Sequence, residues 1–540
     1  MEDVKAKGFL KRFNTAKAVR DEWESLLRET YDLFLPDRQG FDCGQRGKSN
    51  NIDLYTDEGV RALSKFANNI KTKLMPSGQR WAKLEPSGNF KVDMLRGSIS
   101  KEEEEKVQQG LDIDTEVLFY HLWSSNFDQA VNESMQDMAV SVGAFMIQDT
   151  GREDAPLNFV SVPADQLAIE EAGDGVIRSA WREWIIKARE IDGMWQEREA
   201  DDKLDKLITD KPESDVKVIE GTIYNPSDDN YTYSVYISQS EKKIVFSTDY
   251  EVSPWVIFRW SKSPQETWGR GAAMNCKHTM AMFNQEEKDV ASARAKEIDP
   301  VAVIDTSAIV NPHKVSFNAG ARILKSPDWN GSAAQSKAVE LLTSGTNFQV
   351  AQNSRENYKS ALKEAFYLLD LPPMDAGAKT ATEYQVRVNE ALEQKNAAFT
   401  RLNKELIEQT ISRVYYILSR YNIVTPYKSN GKVMGVKSTA PLAGYQDAKD
   451  IETVQKFISD TIAIFGDELG AEIVRKEIDI DKYGDYVADR MSIPIDIRLT
   501  VEKKKEIDQQ VKDEKEAQQQ ALLAEQAVNQ PPAPQVQPEL

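Results

Sequence analysis

Residues 380–421 read TATEYQVRVNEALEQKNAAFTRLNKELIEQTISRVYYILSRY and decide the fold class. The stretch contains neither glycine nor proline, and Thr380 and Glu383 have the spacing of a capping box, which satisfies free N–H groups at a helix start. The pattern predicts one α-helix roughly 60 Å long, which needs a large surface to lie against, such as a wedge-shaped subunit in a ring supplies. Apolar side chains recur on one face at three-, four- or seven-residue steps: Tyr384, Val388, Leu392, Phe399, Leu402, Leu406, Val414 and Ile417.

The segments before this helix predict a protruding stalk. A helix over 270–298 is followed by a small mixed unit over 299–345, whose strands are DPVAVID and ARILKS. A second helix over 346–370 then leads into a loop rich in proline and glycine. Two helices that bracket a compact excursion are expected to form an antiparallel pair with a module at its tip, and a stalk with apolar stripes needs neighbours.

The rest of the chain is helical at both ends and β-rich between them. Residues 1–35 have the apolar spacing of an amphipathic helix that ends at Pro36. Short β-branched and aromatic runs separated by turn residues over 157–260 predict a mostly antiparallel β region. Residues 440–500 are mostly helical in pattern, and the polar, proline-containing end of the chain is expected to be disordered.

Composition limits the classes of function. A length of 540 residues suggests about two to four domains. The net charge of −19 lacks the basic footprint of a protein that grips nucleic acid, so any DNA contact is expected to be transient. Cys43 and Cys276 form no disulfide framework, which favours a reducing compartment. No stretch approaches twenty apolar residues, so no membrane span is expected.

Motifs for catalysis or metal binding are weak. The three histidines are isolated and lack zinc-ligand spacing, and no GxSxG motif is present. GQRGKS (44–49) resembles the end of a P-loop, but Asp42 stands where that motif needs glycine. WGRGAA (268–273) opens a helix and fits either an anion site or, as the favoured interpretation, a tight turn that lets a helix pack closely. We expect no enzyme activity, no cofactor and no metal.

Charged residues near the stalk tip and loop are candidates for contacts with other molecules. Lys314, Arg322 and Lys325 lie on the predicted tip module, as solvated surface or as a partner contact. The loop 372–380 carries Asp375 and Lys379 and is either a functional loop or an ordinary helix connector.

Several collinear stretches resemble the portal proteins, or head-to-tail connectors, of short-tailed bacteriophages (podoviruses). The TATEYQVRVNEALE stretch (380–393) is the most specific of them. The chain's end over 492–510, SIPIDIRLTVEKKKEIDQQ, is also similar to the family's ending. The other stretches are EGVRALSKFANNIKTKLMPSGQRWAKL (58–84), NESMQDMAVSVGAFMI (132–147) and WGRGAAMNCKHTMAMFNQEEK (268–288).

The resemblance implies an α+β, predominantly helical fold: a portal-type ring subunit with a wing, a two-helix stem, a small α/β clip and a helical crown. Carried onto this chain, its parts are the wing (1–268), first stem helix (269–298), clip (299–345), second stem helix (346–371), tunnel loop (372–380), long wing helix (381–420), crown (421–520) and disordered tail (521–540).

The resemblance also implies a function. Portal proteins form a ring, usually of twelve subunits, at one capsid vertex, where DNA enters during packaging by terminase and leaves during ejection, and where the tail attaches. Assembly takes place in the host cytoplasm and the product is part of the virion. The implied partners are other copies of the chain, major capsid and scaffolding proteins, the terminase large subunit, tail adaptor proteins and double-stranded DNA, with no membrane.

The implied residue roles fall into three sets, and the chain itself would hydrolyse nothing. A scaffold or tail structural protein without a DNA channel is the main alternative, and a nucleic-acid enzyme is a more remote one. The implied sets are the tunnel loop (Pro372, Pro373, Met374, Asp375 and Lys379), the channel-facing stem cations (Arg355, Lys359 and Lys363) and the clip residues that dock partners (Lys314, Arg322 and Lys325).

Overall fold

The computed structural model describes most of the chain as far as residue 466. The described residues are 2–38, 52–86, 96, 101–298, 301–304, 309, 313, 339–342, 348–368, 396–425, 435–439, 443–466, 473–474, 476–478, 483–484 and 487. Contacts divide the chain into a first unit, Met1–Ala440, and a second unit, Pro441–Leu540.

Runs of helices and runs of strands follow one another through the described part of the first unit. The helices are α1 (Glu2–Phe34), α2 (Glu58–Leu74), α3 (Lys101–Ser124), α4 (Phe127–Val140), α5 (Ile191–Met194), α6 (Asp202–Asp210), α7 (Ala272–Asn275), α8 (Lys277–Ile298), α9 (Phe348–Ala365), α10 (Asn396–Leu402) and α11 (Gln409–Arg420). The strands are β1 (Ala82–Glu85), β2 (Val142–Asp149), β3 (Leu157–Ser161), β4 (Leu167–Glu171), β5 (Ile177–Lys187), β6 (Asp215–Asn225), β7 (Asn230–Ile237), β8 (Ile244–Tyr250), β9 (Trp255–Arg259), β10 (Val301–Ile304), β11 (Val339–Leu342) and β12 (Gly435–Ser438).

The first helix is held by the larger sheet. Phe9 and Phe13 of α1 are nearly completely buried and pack against Trp181 and Ile219. The rings of Phe9 and Trp181 meet edge to face with centroids 6.4 Å apart, an arrangement that aromatic pairs favour. The amphipathic helix predicted for residues 1–35 is therefore confirmed, and the apolar residues of its first half cover the sheet.

Two antiparallel sheets occupy the β region predicted over 157–260. The larger has five strands in the order β4-β5-β6-β7-β8, and the smaller has three in the order β3-β2-β9. The central strand of the smaller sheet is β2, which follows directly after α4. Val142 of β2 lies opposite Arg259 of β9. The predicted antiparallel region is confirmed.

The glycines of WGRGAA are required by close packing. A Cβ atom at Gly271 would lie 2.1 Å from the Ala139 carbonyl oxygen, and one at Gly269 would lie 2.7 Å from the Ser141 carbonyl oxygen. The Gly271 N–H donates to the Val140 carbonyl, so this turn binds the end of α4 directly. The tight turn is confirmed, and it sets where the following helices α7 and α8 begin.

The long helix is helical over all of its described residues, 396–420, but it is not one regular α-helix. Residues Asn403–Glu408 form a π-helical turn between α10 and α11. Leu402 and Leu406 belong to the buried stripe that leads into this turn. A second buried stripe begins inside the turn at Ile407 and continues with Ile411 and Val414. The stripe restarts one residue later, and a π-turn accommodates one extra residue, which corresponds to about 100° of helix rotation. The prediction of a regular α-helix was wrong at this point; residues 380–395 lie outside the described part.

The π-turn places a carboxylate against the edge of the smaller sheet. Glu405 accepts hydrogen bonds from the Arg259 backbone N–H at 2.9 Å and from its guanidinium at 2.6 Å. The same guanidinium donates to Glu171 at 2.8 Å and to the Thr267 carbonyl at 3.0 Å. Arg259 is only 1% exposed, so the carboxylates of Glu405 and Glu171 balance a buried positive charge. Glu405 also satisfies the backbone N–H of Arg259, which lies at the edge of the smaller sheet.

β1 and β12 form a separate two-stranded sheet in the first unit. β12 pairs with β1 in antiparallel register, with Leu84 opposite Val436. Residues 435–438 therefore pack with the N-terminal part of the chain, although they lie inside the predicted crown range. In the second unit, the helix α12 (Ala443–Phe465) agrees with the mostly helical pattern predicted there.

Candidate assembly and channel region

The segments on either side of the predicted clip form an antiparallel helix pair. Residue numbers rise along α8 as they fall along its contacts on α9, which defines the antiparallel direction. The contacting pairs are Phe283 with Tyr358, Glu287 with Arg355, and Arg294 with Phe348. The first is a stacked aromatic pair with ring centroids 5.4 Å apart, and the last places a guanidinium over a ring at 5.9 Å.

A short strand pair lies between these helices in the sequence. Val301 of β10 is opposite Leu342 of β11, and Ile304 is opposite Val339. β10 begins three residues after α8 ends, which matches the predicted strand DPVAVID. The partner strand VELL (339–342) was not predicted, and the predicted strand ARILKS (321–326) lies outside the described residues.

The helix pair exposes apolar side chains. Met282 on α8 is 60% exposed and Val350 on α9 is 62% exposed, while Ile298 at the end of α8 is 84% exposed. In α8 the buried side chains are Met280, Phe283 and Val290. These exposed apolar groups suit burial against another molecule.

The predicted channel cations Arg355 and Lys359 are engaged by acidic residues of the same chain. The Arg355 Nε donates to a Glu287 carboxylate oxygen at 2.6 Å, and Lys359 Nζ lies 2.8 Å from Glu58 at the start of α2. The hydrogen bond that Arg355 donates to Glu287 raises the pKa of Arg355 above its ordinary value. Lys363 is an exposed residue further along the same helix. Arg355 thus fastens α9 to α8, and Lys359 fastens α9 to α2.

The remaining predicted site residues cannot be placed. Lys314, Arg322, Lys325 and the tunnel-loop residues 372–380 lie outside the described part of the chain, as does the GQRGKS segment. Their roles stay predictions.

Sequence reasoning missed the acidic partners of the stem cations. Glu287 and Glu58 are two among many acidic residues, and nothing local marks them. A register for the α8–α9 pair, set by Phe283 opposite Tyr358, would have placed Glu287 beside Arg355. Glu58 is far from Lys359 in sequence, so only the tertiary fold brings them together.

The described residues contain neither a candidate membrane-spanning helix nor a candidate metal cluster. None of their helices has both the length and the hydropathy that a bilayer crossing requires. Likewise, no three or more His, Cys, Asp and Glu side chains within this part are grouped so that they could hold a metal ion.

Comparison with known proteins decides the family. A family model described as bacteriophage head to tail connecting protein matches residues 6–498. The chain belongs to this family. The probable portal protein of Bordetella phage BPP-1 is 22% identical over 545 residues, an alignment that covers 98% of this chain and 95% of that protein.

A solved structure, the virion of a native gene transfer agent particle, contains a chain that is 11% identical to this one. The match covers 73% of this chain and 94% of that chain, with a TM-score of 0.28.

These matches confirm the predicted resemblance to phage portal proteins. The chain is a structural component of a phage virion and not an enzyme, in agreement with the sequence-based expectation. The α+β class is consistent with the mixture of helices and antiparallel sheets. The short-tailed phage type and the boundaries of wing, stem, clip and crown stay predictions.

Proposed function

We propose that this chain forms a closed ring, of twelve copies as is usual for portal proteins, at one capsid vertex of a short-tailed bacteriophage. Double-stranded DNA passes through the ring, inward during packaging by the terminase large subunit and outward during ejection. Tail adaptor proteins then attach to the same ring. Major capsid and scaffolding proteins surround it, and assembly takes place in the host cytoplasm.

The antiparallel pair α8–α9 is the observation that carries this proposal. The chain belongs to the head-to-tail connecting proteins, and this helix pair exposes its Met282, Ile298 and Val350 to solvent. Neighbouring copies in a ring would bury such side chains, whereas an isolated subunit would leave them in water.

The charge distribution supports passage of DNA without a firm grip. The net charge is −19, and Arg355 and Lys359 are already paired with carboxylates. Tight duplex binding depends on cations that neutralise phosphates and release counterions. A ring wall with few unpaired cations would let the duplex slide in both directions.

The parts outside the described residues receive roles by the same proposal. Residues 372–380, with Asp375 and Lys379, would contact the DNA as a tunnel loop. Lys314, Arg322 and Lys325 would dock the terminase and later the tail adaptors.

Deletion of Asp375–Ala378 tests the tunnel-loop role. We expect rings of unchanged mass, since the loop does not hold subunits together, and less genome retained per particle after packaging. Light scattering reports the ring mass and DNA quantification reports the genome. A matched control removes four residues, Gln537–Leu540, from the predicted tail and should alter neither quantity.

Loss of ring assembly in the Asp375–Ala378 deletion alone would show that the loop is a structural connector. Full genome retention in intact rings would also reject the tunnel-loop role.

A further inference from the structure

Six aromatic side chains from five segments of the first unit meet at the base of the α8–α9 pair. We call this cluster the Trp260 hub, after the residue that follows β9. Its members are Phe34 of α1, Phe66 of α2, Trp260, Phe366 and Tyr367 at the end of α9, and Phe399 of α10.

Trp260 is the member that joins the two sides of the hub. Its indole lies 5.0 Å from the Phe66 ring, 5.7 Å from the Tyr367 ring and 6.1 Å from the Phe399 ring, measured between centroids. Trp260 and Phe399 are each 3% exposed and Phe66 is 1% exposed. These are close aromatic contacts in a dry environment, where both area burial and ring geometry stabilise the packing.

The contacts of Trp260 bracket one segment of the chain. Tyr367 lies just before residue 368, the last described residue after α9, and Phe399 lies just after residue 396, the first described residue of α10. The same indole therefore touches the chain immediately before and immediately after residues 369–395. This segment includes the residues 372–380 discussed above.

Tyr367 has an unusual backbone conformation at the point where α9 ends. Its φ angle is +53°, in the left-handed region that glycine and asparagine adopt readily and a bulky residue rarely does. The Tyr367 N–H donates to the Glu364 carbonyl and the Leu368 N–H donates to the Lys363 carbonyl, so the helix ends here by a left-handed cap. A tyrosine holds this position while its ring stacks 6.5 Å from Phe66 and lies against Trp260. The packed ring of Tyr367 thus occurs together with a backbone conformation that a tyrosine rarely adopts.

We propose that Trp260 is a positioning residue that ties the end of α9 to the start of α10 and so fixes both attachment points of residues 369–395. Without the indole, the two flanks lose the contacts that they share through Trp260. The proposal rests on the proposed function only for what the segment 372–380 does; the positioning role of Trp260 stands on the hub contacts.

The positioning role is tested by a distance measurement in the full-length protein. Spin labels at E364C and T400C, two exposed positions on α9 and α10, report the spacing of the flanks. Cys43 is replaced by serine, and Cys276 is buried and so protected from labelling. Labelled chains are diluted with unlabelled chains so that each assembly carries one pair.

We expect a narrow distance distribution in the parent protein, a broader one in W260A, and recovery towards the parent in W260F, which keeps an aromatic ring. The matched control is W81A, because Trp81 is equally buried in a separate cluster with Phe119 and Phe127. W81A should lower stability but leave the measured distance unchanged. If W260A does not fold, F399A removes the contact on one flank and is expected to broaden the same distance.

An unchanged distribution in W260A or F399A would overturn the proposal, as would equal broadening in W81A. Genome retention by W260A rings separates this proposal from the proposed function. Broadening with normal genome retention supports the positioning role and overturns the tunnel-loop role of 372–380. Broadening with reduced retention supports both.

Discussion

Asp165 is a carboxyl group that folding removes almost completely from water. It follows β3, its residue is 8% exposed, and Arg20 of α1 donates to its backbone carbonyl at 2.6 Å. Burial, together with the nearby carboxylate of Asp137, raises the pKa of Asp165 to about 6, although Arg20 and Arg38 oppose the shift. The ionised form of Asp165 is therefore disfavoured in the folded protein.

This pKa shift predicts a pH dependence of stability. An ordinary aspartate in the unfolded chain ionises near pH 3.8, so the folded state binds more protons between about pH 4 and pH 6. Stability attributable to Asp165 is present below this window and is lost as pH rises through it. D165N should thus be more stable than the native protein at pH 7, by up to about 3 kcal/mol, and the difference should vanish below about pH 4.

Denaturant unfolding of D165N and the native protein from pH 4 to pH 8 checks this prediction. Parallel stability curves across the window would show that Asp165 ionises at its ordinary pKa in the folded protein.

At the level of single residues, the sequence indicated which groups are charged but not what they face. The structure pairs Arg355 and Lys359 with Glu287 and Glu58, which the sequence did not indicate, and the channel-facing position of both cations stays a prediction. Pairing across helices depends on the register of one helix against another, and that register is set by packing that no local pattern encodes.

The α8–α9 pair is stabilised by an ion pair whose two members can be exchanged. R355E would place two carboxylates side by side and should lower stability by about 1–2 kcal/mol, since the pair is only partly shielded from solvent. The double variant E287R/R355E restores opposite charges and should recover most of that loss. Chemical unfolding and limited proteolysis of the α8–α9 region measure both effects.

The control is R152E, which reverses one charge of the Arg152–Asp154 pair, where both side chains are about two-thirds exposed. It should leave stability almost unchanged, because water screens a pair this exposed. If the double exchange restores stability but not DNA packaging, then Arg355 contacts DNA in addition to bracing the helices. If the double exchange fails to restore stability, the Arg355–Glu287 contact is not a brace.

Elements with one clear periodic face could be predicted, and those set by distant contacts could not. α1 and the antiparallel strands follow from their apolar spacing, because one side of each covers a core. The π-turn at Asn403–Glu408 did not follow, because both Leu406 and Ile407 are apolar and either stripe fits a helix. In the structure the turn brings Glu405 to the backbone N–H of Arg259, a contact between residues far apart in sequence that no local pattern indicates. The pairing of β12 with β1 likewise joins short segments more than three hundred residues apart in sequence.

For the whole molecule, the family match over residues 6–498 and the exposed apolar side chains of the α8–α9 pair support the proposed assembly, in which copies cover one another. The net charge of −19 suits a wall that DNA passes without being held. Collinear sequence stretches were enough to identify the family, since family membership is spread over the whole chain. The contact roles of individual loop and clip residues depend on neighbouring subunits and could not be derived from one chain.

The central claim is that the chain assembles into a closed ring that surrounds DNA. Negative-stain imaging combined with mass measurement of the purified full-length chain tests it most directly. We expect particles of about twelve subunits with a central hole at least as wide as a duplex, about 20 Å, set by its grooves and backbones. A monomer that persists at all concentrations, or an open filament without a hole, would contradict the claim.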